Sequence, residues 1–291
     1  MFTFPKPFAI GLKPLDCNNW IIVDDDLVRY LKEKDELIAC KQGHLFQADE
    51  DTIDAQREVF ELLRDYVLIK YPNIYSYDGE KLDIKGYKTI VPDSSEQPLL
   101  TASRFVQEDL ILMRKRENGW SLVAASLAFP SSWSLLEKFQ KSITQIHEPV
   151  PGFGDKTRNA MLIERIFDKL LVDQPVTREN WGVYADDVLR HSTEHAAKIG
   201  RFDGATLDDP FVRVEGQTLR KLPTSNDILF TVRIYVKRAS TLIKEVGGKM
   251  RLEQLVERLA EMSEDEAAYK GISTVRDDLI KSFNRLAKRT I

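Results

Sequence analysis

Asp109-Leu-Ile-Leu-Met113 and Trp120-Ser-Leu-Val-Ala-Ala-Ser-Leu-Ala-Phe129 are two apolar runs separated by the turn sequence Glu117-Asn-Gly119. Short apolar runs joined by an Asn-Gly dipeptide are typical of a β-hairpin. A second hairpin is predicted from Phe211-Val-Arg-Val-Glu215 and the run at residues 228–236, which alternates apolar and polar residues as a half-buried strand does. Together the two hairpins predict an antiparallel sheet.

Apolar residues recur at helical spacing on both sides of the hairpins, which indicates amphipathic helices around the sheet. Trp181 and Tyr184 are predicted to lie in a loop, and the tail from 252 to 291 is predicted to form two helices separated near Gly271. The other predicted helices span residues 24–37, 54–69, 134–146, 155–171 and 187–199. These elements predict an α+β fold.

The predicted domain organisation is a single domain over residues 1–291, because no long polar linker interrupts the chain. Residues 1–20 are rich in proline and aromatic side chains, and we expect them to form an arm laid over the body. Residues 240–291 are expected to form a helical extension.

The composition is that of a globular protein, since 43% of the 291 residues are apolar and 30% are charged. The net charge of −4 gives no overall positive field, so nucleic acid is not an expected partner. The longest apolar run, Leu122–Phe129, is about half of what crosses a bilayer, so no membrane association is expected. The N-terminus lacks the apolar core of a signal peptide, and we therefore expect a cytoplasmic location.

Cys17 and Cys40 are the only cysteines in the sequence. Two cysteines are too few for a four-cysteine zinc site or for a cysteine-ligated iron–sulfur cluster within one chain. If the chemistry of this chain requires such a cluster, a partner protein must hold it.

The string His191-Ser-Thr-Glu-His195 matches the H-x-x-E-H pattern of one class of zinc peptidases. There, two histidines one helical turn apart bind zinc and the glutamate acts as the base. No independent feature identifies a third ligand, and Arg190 and Lys198 flank the string as they would on a solvated face. A zinc peptidase and a pair of ordinary surface histidines are therefore both open interpretations.

His147 stands at the end of the predicted helix 134–146, directly before Glu148-Pro-Val-Pro-Gly152. Pro149 forces the residue before it out of helical geometry, which gives the backbone beside His147 a defined conformation. A fixed imidazole is suited to act as an axial iron ligand. The alternative is a histidine that caps the helix carbonyls, where a positive charge is also favourable.

Arg213 and Glu215 alternate on the first strand of the second predicted hairpin, and Arg233 and Tyr235 alternate on the later strand. Residues two apart on a strand share a face, so each pair projects from one side of the sheet. These four polar side chains are candidates to line one pocket. The alternative is an exposed sheet face with cross-strand ion pairs.

Six strings occur in order along the chain: Gln107-Glu-Asp-Leu110, Phe129-Pro-Ser-Ser-Trp133, Ile146-His-Glu-Pro-Val-Pro-Gly-Phe153, Glu179-Asn-Trp181, Val214-Glu-Gly-Gln-Thr-Leu-Arg-Lys-Leu-Pro223 and Phe230-Thr-Val-Arg-Ile-Tyr235. With these strings the chain resembles the heme-dependent oxidative N-demethylase alpha-subunit-like family from Gly11 to about Val236. Each string is short, and their number and order make the resemblance fairly specific.

The resemblance implies a PAS-like antiparallel sheet with flanking helices and added terminal helices, which binds heme b. It also implies an oxidoreductase that uses oxygen to remove a methyl group from a small secondary amine such as dimethylamine, with release of formaldehyde. In this family NADPH supplies the electrons through a reductase partner that contains flavin and an iron–sulfur cluster. The two cysteines of this chain agree with an external electron donor.

For individual residues, the resemblance implies that His147 binds the heme iron and that Arg213 and Arg233 contact the cofactor. A carboxylate near the reacting groups is expected to orient the amine, and a guanidinium or a phenol to donate a hydrogen bond to bound oxygen. The catalytic candidates at matching positions are Glu215, Arg220 and Tyr235.

A sensor without catalysis is the main alternative to an enzyme. PAS-like folds bind heme or small ligands for sensing as well as for catalysis, and a fold by itself does not determine the function. Amine-dependent release of formaldehyde would distinguish the enzyme from the sensor.

Overall fold

The structure is a computed structural model that describes residues 3–93, 95–131, 133–191 and 202–289. Its strands are β1 (Lys13–Pro14), β2 (Phe46–Ala48), β3 (Tyr75–Tyr77), β4 (Leu82–Ile84), β5 (Lys88–Ile90), β6 (Asp109–Arg116), β7 (Gly119–Ser126), β8 (Val176–Tyr184), β9 (Phe211–Lys221) and β10 (Ile228–Arg238). The helices within those ranges are α1 (Leu27–Leu45), α2 (Ile53–Lys70), α3 (Pro98–Ser103), α4 (Leu135–Lys138), α5 (Ile143–His147), α6 (Arg158–Lys169), α7 (Ala239–Leu242), α8 (Gly248–Glu261), α9 (Glu264–Tyr269) and α10 (Arg276–Arg289).

Seven strands form one large sheet in the order β1-β8-β9-β10-β6-β7-β2, and every neighbouring pair is antiparallel. A separate three-stranded sheet contains β3, β4 and β5. Helices combined with antiparallel sheets confirm the α+β class that the sequence predicts.

The two predicted hairpins are confirmed as β6–β7 and β9–β10. In the first hairpin Arg116 pairs with Gly119, so the loop residues are Glu117 and Asn118, and the turn is centred one residue before the Asn-Gly dipeptide. Gly119 has a φ of 102°, a conformation that glycine adopts without steric cost. A tight turn followed by a glycine in this conformation is a common hairpin connection.

The loop predicted at Trp181 and Tyr184 is wrong, because both residues lie in β8. This strand pairs with β9 along its whole length, from Val176 opposite Leu219 to Tyr184 opposite Phe211. The polar residues in the first half of β8 interrupt any simple alternation, so the neighbouring strand rather than local periodicity makes this segment extended.

The helix predicted over residues 134–146 is divided into α4 and α5. Between them, Gln140 donates its backbone N–H to the carbonyl of Leu122 at 2.9 Å, and Leu122 donates to the carbonyl of Lys141 at 3.1 Å. These hydrogen bonds to β7 replace those of a continuous helix. They also anchor the beginning of α5 on the large sheet.

The other predicted helices differ from the structure mainly at their ends. α1 continues to Leu45, and α6 begins at Arg158, where the side chain of Thr157 accepts the N–H of Ala160 at 3.2 Å. The tail contains α8, α9 and α10 instead of two helices. In the predicted helix 187–199, residues 187–191 are not helical, and the others lie outside the described residues. Within the described ranges, no helix combines the length and apolar composition needed to span a bilayer.

The large sheet has an apolar layer on each face. On its front face, an apolar cluster joins Ile111 and Leu219 of the sheet to Phe167 of α6. On its back face, α2 and α3 belong to a second cluster with β6 and β10, and α7 to α10 belong to a third with β8 and β9. The N-terminal arm pairs with β8 through β1, and Phe4 packs among the C-terminal helices. The front face carries the candidate site.

Lys34 of α1 is a buried cation, with 1% of its surface exposed. Its ammonium lies 3.9 Å from a carboxylate oxygen of Asp109. Asp109 also accepts hydrogen bonds from the backbone N–H groups of Ala128 at 2.8 Å and Phe129 at 2.9 Å. Asp109 therefore links the start of β6 to the chain after β7, and the ion pair adds Lys34 of α1 to this link. The carbonyl oxygens that accept hydrogen bonds from the ammonium are those of Ser103, Val106 and Glu108.

Lys34→Met is expected to lower the free energy of unfolding by about 3 kcal/mol, because Asp109 and three buried carbonyls lose their cation. Urea unfolding measures this change. Lys32→Met, on the exposed side of α1, is the matched control and should change the same quantity by less than about 0.5 kcal/mol. Equal effects of the two substitutions would contradict a structural role for Lys34.

Lys34 also predicts how stability depends on pH. Burial, the largest cause, lowers the pKa of Lys34 from 10.5 to about 8. Between these values the unfolded chain binds the proton and the folded chain does not, so the contribution of this group to the free energy of unfolding rises with pH. The unfolding free energy of the wild type minus that of Lys34→Met should therefore increase from about pH 8 to about pH 10.5. A constant difference over this interval would refute the prediction.

Candidate functional site

The front of the large sheet carries a cavity of about 510 Å³. Volumes of this order are typical of sites that enclose a small ligand or a cofactor. Side chains from the sheet, from α5 and α6 and from the N-terminal arm surround the cavity. The apolar lining includes Ile111, Leu219, Val232, Ile143, Phe153 and Phe167. A lining of this kind excludes water and accepts a large apolar group.

His147 is the last residue of α5, and it lines the cavity. Its Nδ1 bonds to the carbonyl oxygen of Ile143, one helical turn earlier, at 2.9 Å. Because a carbonyl only accepts, Nδ1 carries the proton and Nε2 keeps its lone pair. Phe153 packs beside the ring, with 6.0 Å between the ring centroids. The helix-capping contact of the alternative interpretation is thus present, and it leaves Nε2 available to a ligand.

The imidazole of His147 is neutral at pH 7. Burial is the largest cause that lowers its pKa, and the positive charges of Arg178 and Lys138 lower the pKa further. The hydrogen bond with Ile143 acts in the opposite direction without reversing the shift. A metal ligand must be unprotonated, so the surroundings of His147 favour the form that binds a metal.

A row of polar side chains crosses the floor of the cavity on two neighbouring strands. Directly opposed residues of paired strands share a face, and Arg178 opposes Gln217 while Asn180 opposes Glu215. Arg213, two residues before Glu215, lies on the same face. These five residues form the polar row, and all five line the cavity.

Glu215 is held by two other members of the polar row. Its Oε2 accepts hydrogen bonds from Gln217 Nε2 at 2.9 Å and from Asn180 Nδ2 at 3.2 Å. Burial acts to raise the pKa of Glu215, but the charge of Arg213 and hydrogen bonds from Ser131 and Asn180 help to bring it below its ordinary value. The site therefore contains an ionised carboxylate at pH 7.

Arg213 is 1% exposed, and its guanidinium is engaged by the protein on all three nitrogens. Nε donates to Ser131 Oγ at 2.8 Å, Nη1 to the carbonyl of Leu189 at 2.9 Å and Nη2 to the carbonyl of Phe129 at 2.8 Å. These bonds tie β9 to two loops beside the cavity. Arg213 therefore acts on the site through its charge, which helps to lower the pKa of Glu215.

Sequence reasoning missed Arg178, the second cation of the polar row. The available signal was its position directly before the Glu179-Asn-Trp181 string, two residues from Asn180 and hence on the same face of a strand. Its Nη2 donates to the carbonyl of Ala9 in the N-terminal arm at 3.2 Å. Its Nε is shielded from solvent and has no hydrogen-bond partner among the described residues.

Three candidates from the sequence lie on the back of the sheet, away from the cavity, so the second hairpin does not bring its polar side chains into one pocket. The register is the reason. Glu215 opposes Ile234, so even-numbered residues of β10 share its face and odd-numbered ones do not. Even-numbered residues of β9 also point to the back. The three candidates on that face are Arg220, Arg233 and Tyr235.

On the back face these residues make stacking and ionic contacts. The guanidinium carbon of Arg233 lies between two tyrosine rings, 4.1 Å from the ring centroid of Tyr30 and 4.7 Å from that of Tyr235. Its Nη2 donates a hydrogen bond to the carboxylate of Asp24 at 2.9 Å. Arg220 lies over the ring of Trp20 at 4.5 Å. Cation–π contacts of this kind stabilise buried guanidinium groups, and here they fix the segment before α1 on the sheet.

The H-x-x-E-H string is described only at its first residue. The ring of His191 lies 4.6 Å from the ring of Tyr184, and its Nε2 lies 3.4 Å from Asp186. Glu194 and His195 lie outside the described residues. The zinc-peptidase interpretation therefore depends on residues whose placement the structure does not describe.

The residues around the cavity fit a heme. His147 supplies one neutral nitrogen, and a histidine nitrogen is a common ligand of heme iron in proteins. The apolar lining suits the macrocycle, and the guanidinium of Arg178, which makes one hydrogen bond to the described residues, is a donor for an anionic group. Glu215 provides a separate negative group for a cationic ligand.

A comparison with known families agrees with this chemistry. The family model described as haem-dependent oxidative N-demethylase, alpha subunit-like, matches residues 11–280. This range includes the whole large sheet, α5 and the polar row. It confirms the resemblance carried by the six strings, and the chain therefore belongs to the haem-dependent oxidative N-demethylase alpha-subunit-like family.

Proposed function

We propose that this chain holds heme b in the cavity through His147 and catalyses the oxidative N-demethylation of a small secondary amine such as dimethylamine. The observation that carries the proposal is a neutral histidine on a cavity of about 510 Å³ whose floor also holds an ionised glutamate. Membership of the family supports both the cofactor and the reaction. The antiparallel sheet with surrounding helices is compatible with a PAS-like arrangement.

When bound, the heme supplies the oxygen activation needed to oxidise the N-methyl carbon. His147 would hold the iron through Nε2, because its Nδ1 donates a hydrogen bond to the carbonyl oxygen of Ile143. That hydrogen bond also fixes the tautomer and the orientation of the ring, and it makes Nε2 a stronger electron-pair donor to a metal. The apolar lining keeps water away from the reacting atoms, which limits side reactions.

Glu215 is suited to bind the amine. A small secondary amine carries a positive charge at pH 7, as a lysine side chain does, and needs an anionic partner inside a cavity. Asn180 and Gln217 hold the carboxylate in one orientation, so the bound nitrogen takes a defined position. The rings of Tyr184 and Tyr269 also line the cavity and provide faces that attract a cation.

The electrons come from a separate protein in this proposal. Both cysteines of the chain, Cys17 and Cys40, are exposed and unpaired with each other, and two cysteines do not hold an iron–sulfur cluster alone. The family name, which describes an alpha subunit, supports the existence of further subunits. We propose a reductase with flavin and an iron–sulfur cluster that is reduced by NADPH.

The proposal is tested with the protein purified after expression with a heme precursor. A Soret band and about one iron per chain are expected. With a surrogate ferredoxin, its reductase and NADPH, formaldehyde should appear only when both dimethylamine and oxygen are present. Protein without a Soret band would remove the heme assignment. A spectral change on addition of dimethylamine without formaldehyde would identify the sensor instead.

A further inference from the structure

The end of the cavity near His147 is positively charged. Arg178 and Lys138 both line the cavity, and both act on His147 through their charge. Lys138 has a counter-ion in the adjacent Glu137, whose carboxylate lies 3.2 Å from its ammonium. No carboxylate oxygen of the described residues lies within 4.0 Å of a guanidinium nitrogen of Arg178, which is the limit for an ion pair. Arg178 thus lines the cavity without a close counter-ion among the described residues, and it shares this feature with Arg213. The two differ in that all three guanidinium nitrogens of Arg213 are hydrogen-bonded to the protein.

The hydrogen bonds of Arg178 are also incomplete. Nη2 donates to the carbonyl of Ala9, and the guanidinium makes no other hydrogen bond to the described residues; Nε itself is closed off from solvent. Burial lowers the pKa of Arg178, and the charge of Glu215 opposes this shift, but an arginine remains protonated at any physiological pH. A charged guanidinium that lines a cavity and makes one hydrogen bond to the described residues has donors left for an anion bound there.

We infer that Arg178 binds a carboxylate of the cofactor, with Lys138 as a secondary contact. This inference rests on the proposed function, since heme b carries two carboxylate side chains on an otherwise apolar ring. The planar fork of a guanidinium matches a carboxylate, and its hydrogen bonds to an anion are stronger than those to a neutral group. The amine substrate is a cation and would be repelled by Arg178, whereas Glu215 attracts it.

The inference is tested by binding titrations with two probes, hemin and its dimethyl ester, in which both carboxylates are blocked. Wild-type protein should bind hemin about tenfold or more tightly than the ester. Arg178→Gln should weaken hemin binding by about tenfold or more while changing ester binding by less than about twofold. Arg178→Lys should restore part of the preference for hemin, because the charge remains but the fork is lost.

Arg64→Gln provides the matched control, because this arginine lies on α2 behind the sheet with Asp65 as its partner. It should leave the ratio of the two affinities unchanged. Equal weakening of hemin and ester in Arg178→Gln would mean that Arg178 only holds the N-terminal arm, and would overturn the inference. Wild-type protein that binds both probes equally would do the same. Wild-type protein that binds neither probe would instead show that the proposed heme function fails.

Discussion

His147→Ala is expected to yield protein with almost no bound heme and no Soret band after the purification that leaves the wild type loaded. Among the described residues, His147 is the histidine that lines the cavity, and its Nε2 is the nitrogen available to iron. The remaining apolar contacts hold a macrocycle without fixing the metal. The loss is measured by ultraviolet–visible absorption spectroscopy and by the iron content per chain.

Two controls separate loss of the ligand from loss of the fold. His44→Ala removes an exposed histidine near the end of α1 and should retain the heme. Free imidazole added to His147→Ala together with hemin should restore a Soret band, because it fills the space that the substitution leaves. A fully loaded His147→Ala protein with an unchanged spectrum would contradict the assignment of the ligand.

Glu215→Gln is expected to lower kcat/KM for dimethylamine by about a hundredfold or more while the heme content stays unchanged. The substitution keeps the shape of the side chain and removes the charge that would pair with the ammonium. The partners of Arg213 are Ser131, Leu189 and Phe129, so this buried cation keeps its hydrogen bonds in the variant. The effect is measured as initial rates of formaldehyde release over a range of dimethylamine concentrations.

Glu179→Gln is the matched control for this prediction. Glu179 is the residue of β8 next to Asn180, and its carboxylate accepts the backbone N–H of Thr3 at 3.0 Å instead of belonging to the polar row. It should leave kcat/KM within about twofold of the wild type. An unchanged kcat/KM in Glu215→Gln, with normal heme content, would remove Glu215 from the amine site.

Local sequence patterns predicted the parts of the fold that depend on neighbouring residues. The hairpin at residues 109–129 follows from a turn dipeptide between two apolar runs, and the structure confirms it as β6 and β7. α5 ends at His147, two residues before Pro149, which has no backbone N–H to continue the helical hydrogen bonds. The expectation that Pro149 moves the residue before it out of helical geometry is wrong, because Glu148 has a φ of −49° and a ψ of −41°. The hairpin and the end of α5 are set by limits that act within a few residues, so no tertiary contact is needed to anticipate them.

Elements that depend on distant partners were predicted wrongly. β8 is a strand because β9 pairs with all nine of its residues, and the sequence from 176 to 184 has no clear period of its own. The break between α4 and α5 arises because Gln140 bonds to Leu122 of β7, which lies far away in the sequence. Local periodicity contains no information about either pairing.

By itself, the amino-acid sequence determined the α+β class, the family strings and the position of His147 beside a rigid turn, since each is written in adjacent residues. Only the tertiary structure decided that Glu215 and Arg178 share a cavity with His147 while Arg233 faces the other side. The physical reason is register. The loop at residues 222–227 joins β9 to β10, which pair from Lys221 opposite Ile228 onward. A shift of this pairing by one residue would exchange the two faces of a strand.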